Sequence, residues 1–210
     1  RMHDIEDKSV DLILWDLPYG VVNCKWDNII PFDELWNHYN RIVKDDGTVC
    51  LFSIQPLTTK VISSNLKLFK YCWYWKKNNA TGFAFCKYQP MRQIEDVCVF
   101  YKKNRYYPQG LVRLENTKVK KSIRKPEGIF SGITLDKEYV TEYTNWPKNI
   151  LRFDTEPSNQ HYHPTQKPVK LLEYLINTYT KEDDLVLDNC MGSGTTAVAA
   201  LECNRKYIGF

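Results

Sequence analysis

The sequence predicts an α/β fold built on a mostly parallel, twisted sheet with helices on both faces. Three observations carry that prediction. Short apolar runs of strand length recur along the chain, beginning with Val10-Asp11-Leu12-Ile13-Leu14-Trp15. Stretches whose apolar residues return every three to four positions lie between them, the period of a helix packed on one side. Near the C-terminal end a strand, a Gly-x-Gly turn and a helix follow one another. Buried strands alternating with helices are the signature of an open α/β sheet. At 210 residues this reads as one domain with a small insertion.

Each element has its own reason. Residues 10–15 are an apolar run closed by Pro18 and Gly20, a buried strand emptying into a loop. Pro31 to Lys44 places Phe32, Leu35, Trp36, Tyr39, Ile42 and Val43 on one helical face. Asp33 and Glu34 stand in its first turn, and Gly47 is expected to stop it. Thr48–Ser53 is a second apolar strand, and Pro56–Leu66 a second helix opened by proline. Tyr71–Trp75 and Val97–Tyr101 are β-branched or aromatic throughout and read as strands, the first as core rather than a base-stacking platform. Val169–Thr180 carries Val169, Leu172, Leu175, Ile176 and Tyr179 on one face behind Pro168. Strand 184–188, helix 197–203 and strand 206–210 complete the series. No internal repeat is visible.

Composition narrows the classes. A hydrophobic content of 43% supports a real core. The seven cysteines, at 24, 50, 72, 86, 98, 190 and 203, show no Cys-x-x-Cys and no metal-ligand spacing, so no metal is expected. An odd count without a framework suits a reducing compartment. No secretory leader and no apolar run of membrane-spanning length is present, so a cytoplasmic location is expected, and the Asn79-Ala80-Thr81 sequon carries no weight. His3, His38 and His161 read as incidental. The chain starts just ahead of a strand and stops inside an apolar run, so further sequence of the fold is expected beyond both ends.

The net charge of +4 hides an uneven distribution. Residues 102–125 hold nine Lys and Arg (102, 103, 105, 113, 118, 120, 121, 124, 125) against Glu115 alone, with Tyr106 and Tyr107 among them. Such a run is either a solvated face or a surface that tracks phosphates. Weak periodicity from residue 102 to about 160 marks an inserted recognition segment, with Lys118, Lys120, Lys121, Arg124 and Lys125 as its nucleic-acid contacts.

Two stretches carry chemistry. Asp16-Leu17-Pro18-Tyr19-Gly20 sits at the carboxyl end of the first strand, where open α/β sheets bind ligands. Asp16 and the Leu17 carbonyl can accept the two N–H bonds of a planar amine while Tyr19 stacks on its ring. A plain strand-to-turn exit would use the same residue types. In Asp188-Asn189-Cys190-Met191-Gly192-Ser193-Gly194-Thr195-Thr196, the glycines let the backbone approach a ligand and the helix start offers free N–H groups. No lysine follows Gly194, so this is not a P-loop. Ala197 stands where the dinucleotide fingerprint has its third glycine or alanine, so a nicotinamide or flavin enzyme stays open on this segment alone.

Taken together and in this order, Asp16-Leu17-Pro18-Tyr19, His163-Pro164-Thr165-Gln166-Lys167-Pro168 and Asp188 to Thr196 resemble the amino-methylating DNA methyltransferases. The catalytic segment precedes the cofactor loop, as in that family's circularly permuted β group. Departures are Leu17 for the second residue's proline and Asn189-Cys190 for Pro-Phe. The resemblance implies a Rossmann-like S-adenosylmethionine-dependent methyltransferase fold. Residues 1–101 would be the catalytic half, 102–160 the target-recognition insertion and 161–210 the cofactor half. It further implies methyl transfer from S-adenosylmethionine to an exocyclic amine of a flipped base in double-stranded DNA. Catalysis falls to Asp16, Leu17, Pro18 and Tyr19. Cofactor binding falls to Asp188, Asn189, Cys190, Gly192, Ser193, Gly194 and Thr195, with His163, Thr165 and Lys167 at the methionine end. The ribose-gripping acid of the family would follow Phe210.

An aspartate at position 16 resembles the family's N6-adenine enzymes more than its N4-cytosine ones, so adenine is the expected base. The alternatives are N4 of cytosine, an RNA or small-molecule substrate, and a lapsed DNA-binding relative permitted by Leu17. A bacterial or phage origin is implied. In a restriction–modification system a cognate endonuclease would be a partner.

Overall fold

The computed structural model describes residues 2–16, 30–103, 105–121, 138–155 and 166–210. They form two compact units, residues 1–107 with 149–210, and residues 108–148.

The first unit is a seven-stranded sheet. Its strands are β1 (Val10–Asp16), β2 (Val43–Ser53), β3 (Phe69–Thr81), β4 (Arg92–Tyr101), β7 (Ile150–Arg152), β8 (Leu185–Asp188) and β9 (Lys206–Gly209). Its helices are α1 (Phe32–Ile42), α2 (Leu57–Ser64), α3 (Val169–Tyr179) and α4 (Thr195–Glu202). The spatial order is β7-β3-β4-β2-β1-β8-β9. β1 pairs in parallel with both β2 and β8, and β8 in parallel with β9. β4 runs antiparallel between β2 and β3, a reversal that the sequence did not signal.

Strand period two divides the side chains between two cores. Leu12, Leu14, Cys50, Phe52, Trp73, Trp75, Val97, Val99 and Val186 face one side, where α3 and α4 cover them. Ile13, Trp15, Val49, Leu51, Cys98, Phe100 and Leu187 face the other, under α1 and α2. Trp73 and Trp75 are buried, as a core reading of that strand requires. Tyr179 of α3 takes a hydrogen bond from Trp73 Nε1 (2.6 Å) and shares another with the Tyr71 hydroxyl (2.9 Å), so the polar tips of this aromatic layer are satisfied within it.

Gly47 does not stop a helix. α1 ends at Ile42, and Gly47 lies inside β2, where a Cβ would fall 2.7 Å from Val43 Cγ1 and 3.0 Å from the Asp11 carbonyl. Its neighbour β1 is irregular between Val10 and Leu12, and the missing side chain lets the two backbones approach there.

The start of β1 is held by charge. Asp11, 1% exposed, accepts both Lys44 Nζ contacts (2.8 Å each), Arg105 Nη1 (2.6 Å) and the Leu185 amide (2.9 Å). Arg105 also reaches Asp184 (3.1 Å) and Asp46 (3.3 Å). Lys102 lies 3.5 Å from Asp45. Two members of the basic run thus pair with carboxylates of the sheet unit.

The second unit holds β5 (Val112–Lys121) and β6 (Glu138–Thr144), an antiparallel pair with a register shift between Arg113 and Lys118. Arg113 and Lys118 are exposed on it. Lys120 and Lys121 lie within β5, whereas Arg124 and Lys125 fall outside the described residues.

Candidate active site

The site forms at the carboxyl edge of the parallel strands. Asp16 is the last residue of β1 and Asp188 the last of the adjacent β8, and Ile13 pairs with Leu187 between them. Both acids continue the period-two face of Leu14 and Val186, so both emerge on the side covered by α3 and α4. Leu17, Pro18 and Tyr19 lie outside the described residues, as do His163 and Thr165.

Asp188 opens the turn that leads into α4. Its Oδ1 accepts the Cys190 amide (3.0 Å), and Thr196 bonds to the same carboxylate. Burial pushes the Asp188 carboxyl up, those two bonds pull it down, Asp16 adds to the rise, and the net shift is upward. Gly192 (φ 48°) and Gly194 (φ 77°) both occupy the left-handed region, which glycine enters without strain. No neighbour crowds Gly194, so torsion rather than space explains it. The Gly194 amide closes the turn on the Met191 carbonyl (2.7 Å), and the Ser193 and Thr195 hydroxyls share a 2.9 Å bond. Gly194 caps α4, which starts at Thr195 and so brings its free N–H groups two residues nearer the turn than the alanine run suggested. The Tyr39 hydroxyl of α1 donates to Asn189 Oδ1 (2.9 Å) and anchors the loop where the family pattern has proline.

Tyr207 of β9 lies along its strand over Gly209, where a Cβ would fall 2.1 Å from its hydroxyl. That hydroxyl is buried near Asp188 with no hydrogen-bond partner among the described residues. A buried carboxylate, a buried hydroxyl with no partner among the described residues, two left-handed glycines and a helix N-terminus suit a ligand with an ammonium and polar sugar groups.

Lys167 has its ammonium at the end of β1, beside Asp16. Its Nζ donates to Asp16 Oδ2 (2.6 Å), lies 3.4 Å from Glu95 Oε2, and stands 5.3 Å from the centre of the Phe52 ring. Glu95 Oε1 in turn accepts Lys77 Nζ (2.9 Å). Burial works to lower the Lys167 pKa, but Asp16 and Glu95 outweigh it and the net shift is up. For Glu95 burial pushes up, and Lys167 and Lys77 outweigh it, so its carboxyl is held below the ordinary range. Ammonium and carboxylate groups alternate along Lys77, Glu95, Lys167 and Asp16.

Glu95, Lys77 and Tyr39 were not singled out from the sequence. For Glu95 a signal existed: period two from Val99 and Val97 puts a carboxylate on the buried face.

Comparison with known proteins agrees with this architecture. The model of the N6/N4 methyltransferase family, described as DNA methylase, matches residues 10–210. The chain belongs to that family. Among curated relatives, the type II methyltransferase M2.MboI of Moraxella bovis is 26% identical over 99% of this chain and 78% of its own length. M.HpaI of Haemophilus parainfluenzae is likewise 26% identical, over 99% of this chain and 66% of its own. Among solved structures, the cytosine-N4-specific PvuII DNA methyltransferase superposes with a TM-score of 0.68 at 19% identity, covering all of this chain and 77% of that one. A complex of M1.HpyAVI with SAM gives 0.59 at 22% identity, over 96% and 82%.

Proposed function

We propose that this DNA methyltransferase transfers the methyl group of S-adenosylmethionine to N6 of adenine in double-stranded DNA. The observation that carries the reading is the position of the Asp16 carboxylate. It ends β1 beside the strand that opens into the Asp188–Thr195 turn, so a base amine and a cofactor held at that turn would meet at one edge.

The bound cofactor supplies an electrophilic sulfonium methyl. Asp188 would hold its amino group, with Asn189, Cys190, Gly192, Ser193, Gly194 and Thr195 forming the turn beneath the methionine and ribose. An exocyclic amine is a poor nucleophile because its lone pair is delocalised into the ring. Asp16, 31% exposed, accepts one N–H of that amine. The Leu17 carbonyl accepts the other and Tyr19 stacks on the base; both roles rest on the motif. Accepting both hydrogens turns the nitrogen toward tetrahedral geometry and frees the lone pair, so catalysis is largely positioning. The target amine is out of reach inside a duplex and must be flipped out. The segment 102–160, with Lys118, Lys120, Lys121, Arg124 and Lys125, would track the phosphates. The chain order, Asp16 ahead of Gly192–Gly194, supports the permuted β group.

Adenine is favoured by an aspartate at position 16. A specific observation supports N4 of cytosine as a second reading: PvuII DNA methyltransferase, of similar fold, is cytosine-N4-specific. Incubation with mixed-sequence duplex DNA and S-adenosylmethionine, followed by digestion and mass spectrometry of the nucleosides, separates the two. N6-methyladenine supports the first reading and N4-methylcytosine the second. Neither product from a cofactor-binding protein would overturn both. If the gene stands beside an endonuclease that cuts the same sequence, that enzyme is its functional partner.

A further inference from the structure

Lys167 is 7% exposed, and an ammonium at that depth is costly unless paired. Among the described residues two carboxylates pair with it, and they differ. Asp16, at 2.6 Å, is 31% exposed, whereas the Glu95 side chain, at 3.4 Å, is 11% exposed and already holds Lys77 at 2.9 Å. The row Lys77–Glu95–Lys167–Asp16 thus runs from the buried faces of β3 and β4, through the segment ahead of α3, to the end of β1. Charges alternate along it and sum to zero. Asp16 is its most exposed member, at 31%.

We propose that Glu95, seated by Lys77, is a positioning residue for methyl transfer. Its charge, 3.4 Å from the Lys167 ammonium, offsets part of that ammonium's attraction to Asp16 at 2.6 Å, so that Lys167 orients the Asp16 carboxylate without consuming its capacity to accept the target amine. The inference rests on the reading of Asp16 given above. It also gives Lys167 a role at the base amine, distinct from the methionine contact expected of its motif.

The physics is competition for one carboxylate. With Glu95 ionised, the ammonium divides its attraction between two anions. Without that charge the ammonium, already 2.6 Å from Asp16, binds that carboxylate more strongly and competes with the base amine for the same oxygens. Without Lys77, Glu95 pulls harder on Lys167 and Asp16 loses its orienting donor. Either change displaces a reacting group by a fraction of an ångström to an ångström, enough to cost about 10–100-fold in rate. Neither alters the Asp188–Thr195 turn.

The test uses the whole protein with excess enzyme, mixed-sequence unmethylated genomic DNA and tritiated S-adenosylmethionine, read as a single-turnover rate constant. Cofactor Kd is measured separately by calorimetry. For E95Q the rate constant should fall about 10–100-fold while the cofactor Kd stays within about twofold. If Glu95 acts through Lys167, adding E95Q to Lys167→Met should slow the enzyme by no more than about twofold beyond Lys167→Met alone. Should E95Q fail to fold by circular dichroism, Lys77→Met carries the same test with the same expected split. A wild-type rate in the folded variant overturns the proposal. So does a weakened cofactor Kd with an unchanged rate, which would mark Lys167 and Glu95 as cofactor groups, and so do additive losses in the double variant. Asp16→Ala run in parallel separates the two readings. If it methylates normally the Asp16 reading itself has failed; if it is dead while E95Q is normal, only the present inference has.

Discussion

Asp11→Ala should unfold this enzyme more readily without touching its chemistry. Asp11 is the second residue of β1 and Asp16 the last, five strand residues or roughly 17 Å away. Truncation removes three kinds of partner. The Leu185 amide, held at 2.9 Å in the sheet interior, loses its acceptor, a loss of about 1–3 kcal/mol. Arg105, 18% exposed, loses a 2.6 Å partner but keeps Asp184 and Asp46; breaking a buried pair costs about 3–5 kcal/mol when nothing replaces it and less here. Lys44 is 37% exposed and solvent takes over its charge, so it adds little. Relief from burying the carboxylate offsets part of the sum. The balance is about 3 kcal/mol, which for a chain of this size lowers Tm by about 6–12 °C. Thermal and urea unfolding read the loss, and calorimetry with S-adenosylmethionine should give a cofactor Kd within about twofold of wild type. A melting point within about 2 °C of wild type would refute the account of this cluster. Arg105→Met provides the companion test. It should lose stability and leave the salt dependence of DNA binding alone, whereas a phosphate contact would lower the salt slope by about one.

Four further outcomes follow from the site and the cluster. Asp16→Ala should reduce single-turnover methylation by about a hundredfold or more while cofactor Kd holds, checked by tritium transfer and calorimetry. Gly194→Ala puts a side chain at φ 77°, a strain of about 1–2 kcal/mol that should appear as a 5- to 30-fold weaker cofactor Kd, or as an equivalent fall in stability. Tyr39→Phe removes the donor to Asn189 and should lower stability by about 1 kcal/mol in a urea melt. Acid should destabilise the fold through Asp11. Burial pushes its carboxyl up, but the Leu185 amide, Lys44 and Arg105 outweigh burial and hold it below the ordinary 3.8. A depressed native pKa means that this contribution is complete above 3.8 and is lost as the pH falls below it, so urea midpoints should drop there and Asp11→Asn should flatten that drop.

Much of the fold was legible because periodicity reports burial directly. The helices over 32–42 and 169–179 each carried one clean apolar face, and the strands over 10–16 and 185–188 were runs buried on both faces. Legibility failed where polar residues are satisfied by distant partners. β3 and β4 run well beyond their apolar cores, through Lys76, Lys77, Gln93 and Glu95, and the ion pairs that justify buried charge there join residues far apart in sequence. Arg105 sat in a basic run and was counted with it, although its partners Asp11 and Asp184 lie 94 and 79 positions away. Gly47 looked like a helix stop because local grammar holds no record of a neighbouring strand's backbone. At the candidate site, residue type and spacing pointed to Asp16 and the two glycines, and the family resemblance to Asp188. Glu95 and Lys77 carry no motif, and only the folded sheet brings them to the Lys167 ammonium.

The pairing of β1 with both β2 and β8 also bears on how the enzyme is made. Leu12 meets Val186 in the finished sheet, roughly 170 residues later in the chain. At ordinary translation speeds of about 5–20 residues per second, one edge of β1 waits roughly 10–35 seconds for its partner. That edge belongs to an apolar strand with open N–H and C=O groups, the kind of surface that recruits foreign strands. Nascent chains stalled near residue 150 should therefore be captured by holdase chaperones, and released once residues 185–188 have emerged from the ribosome. The same delay means that Asp16 and Asp188, the last residues of two paired strands, are not brought side by side until β8 is in place.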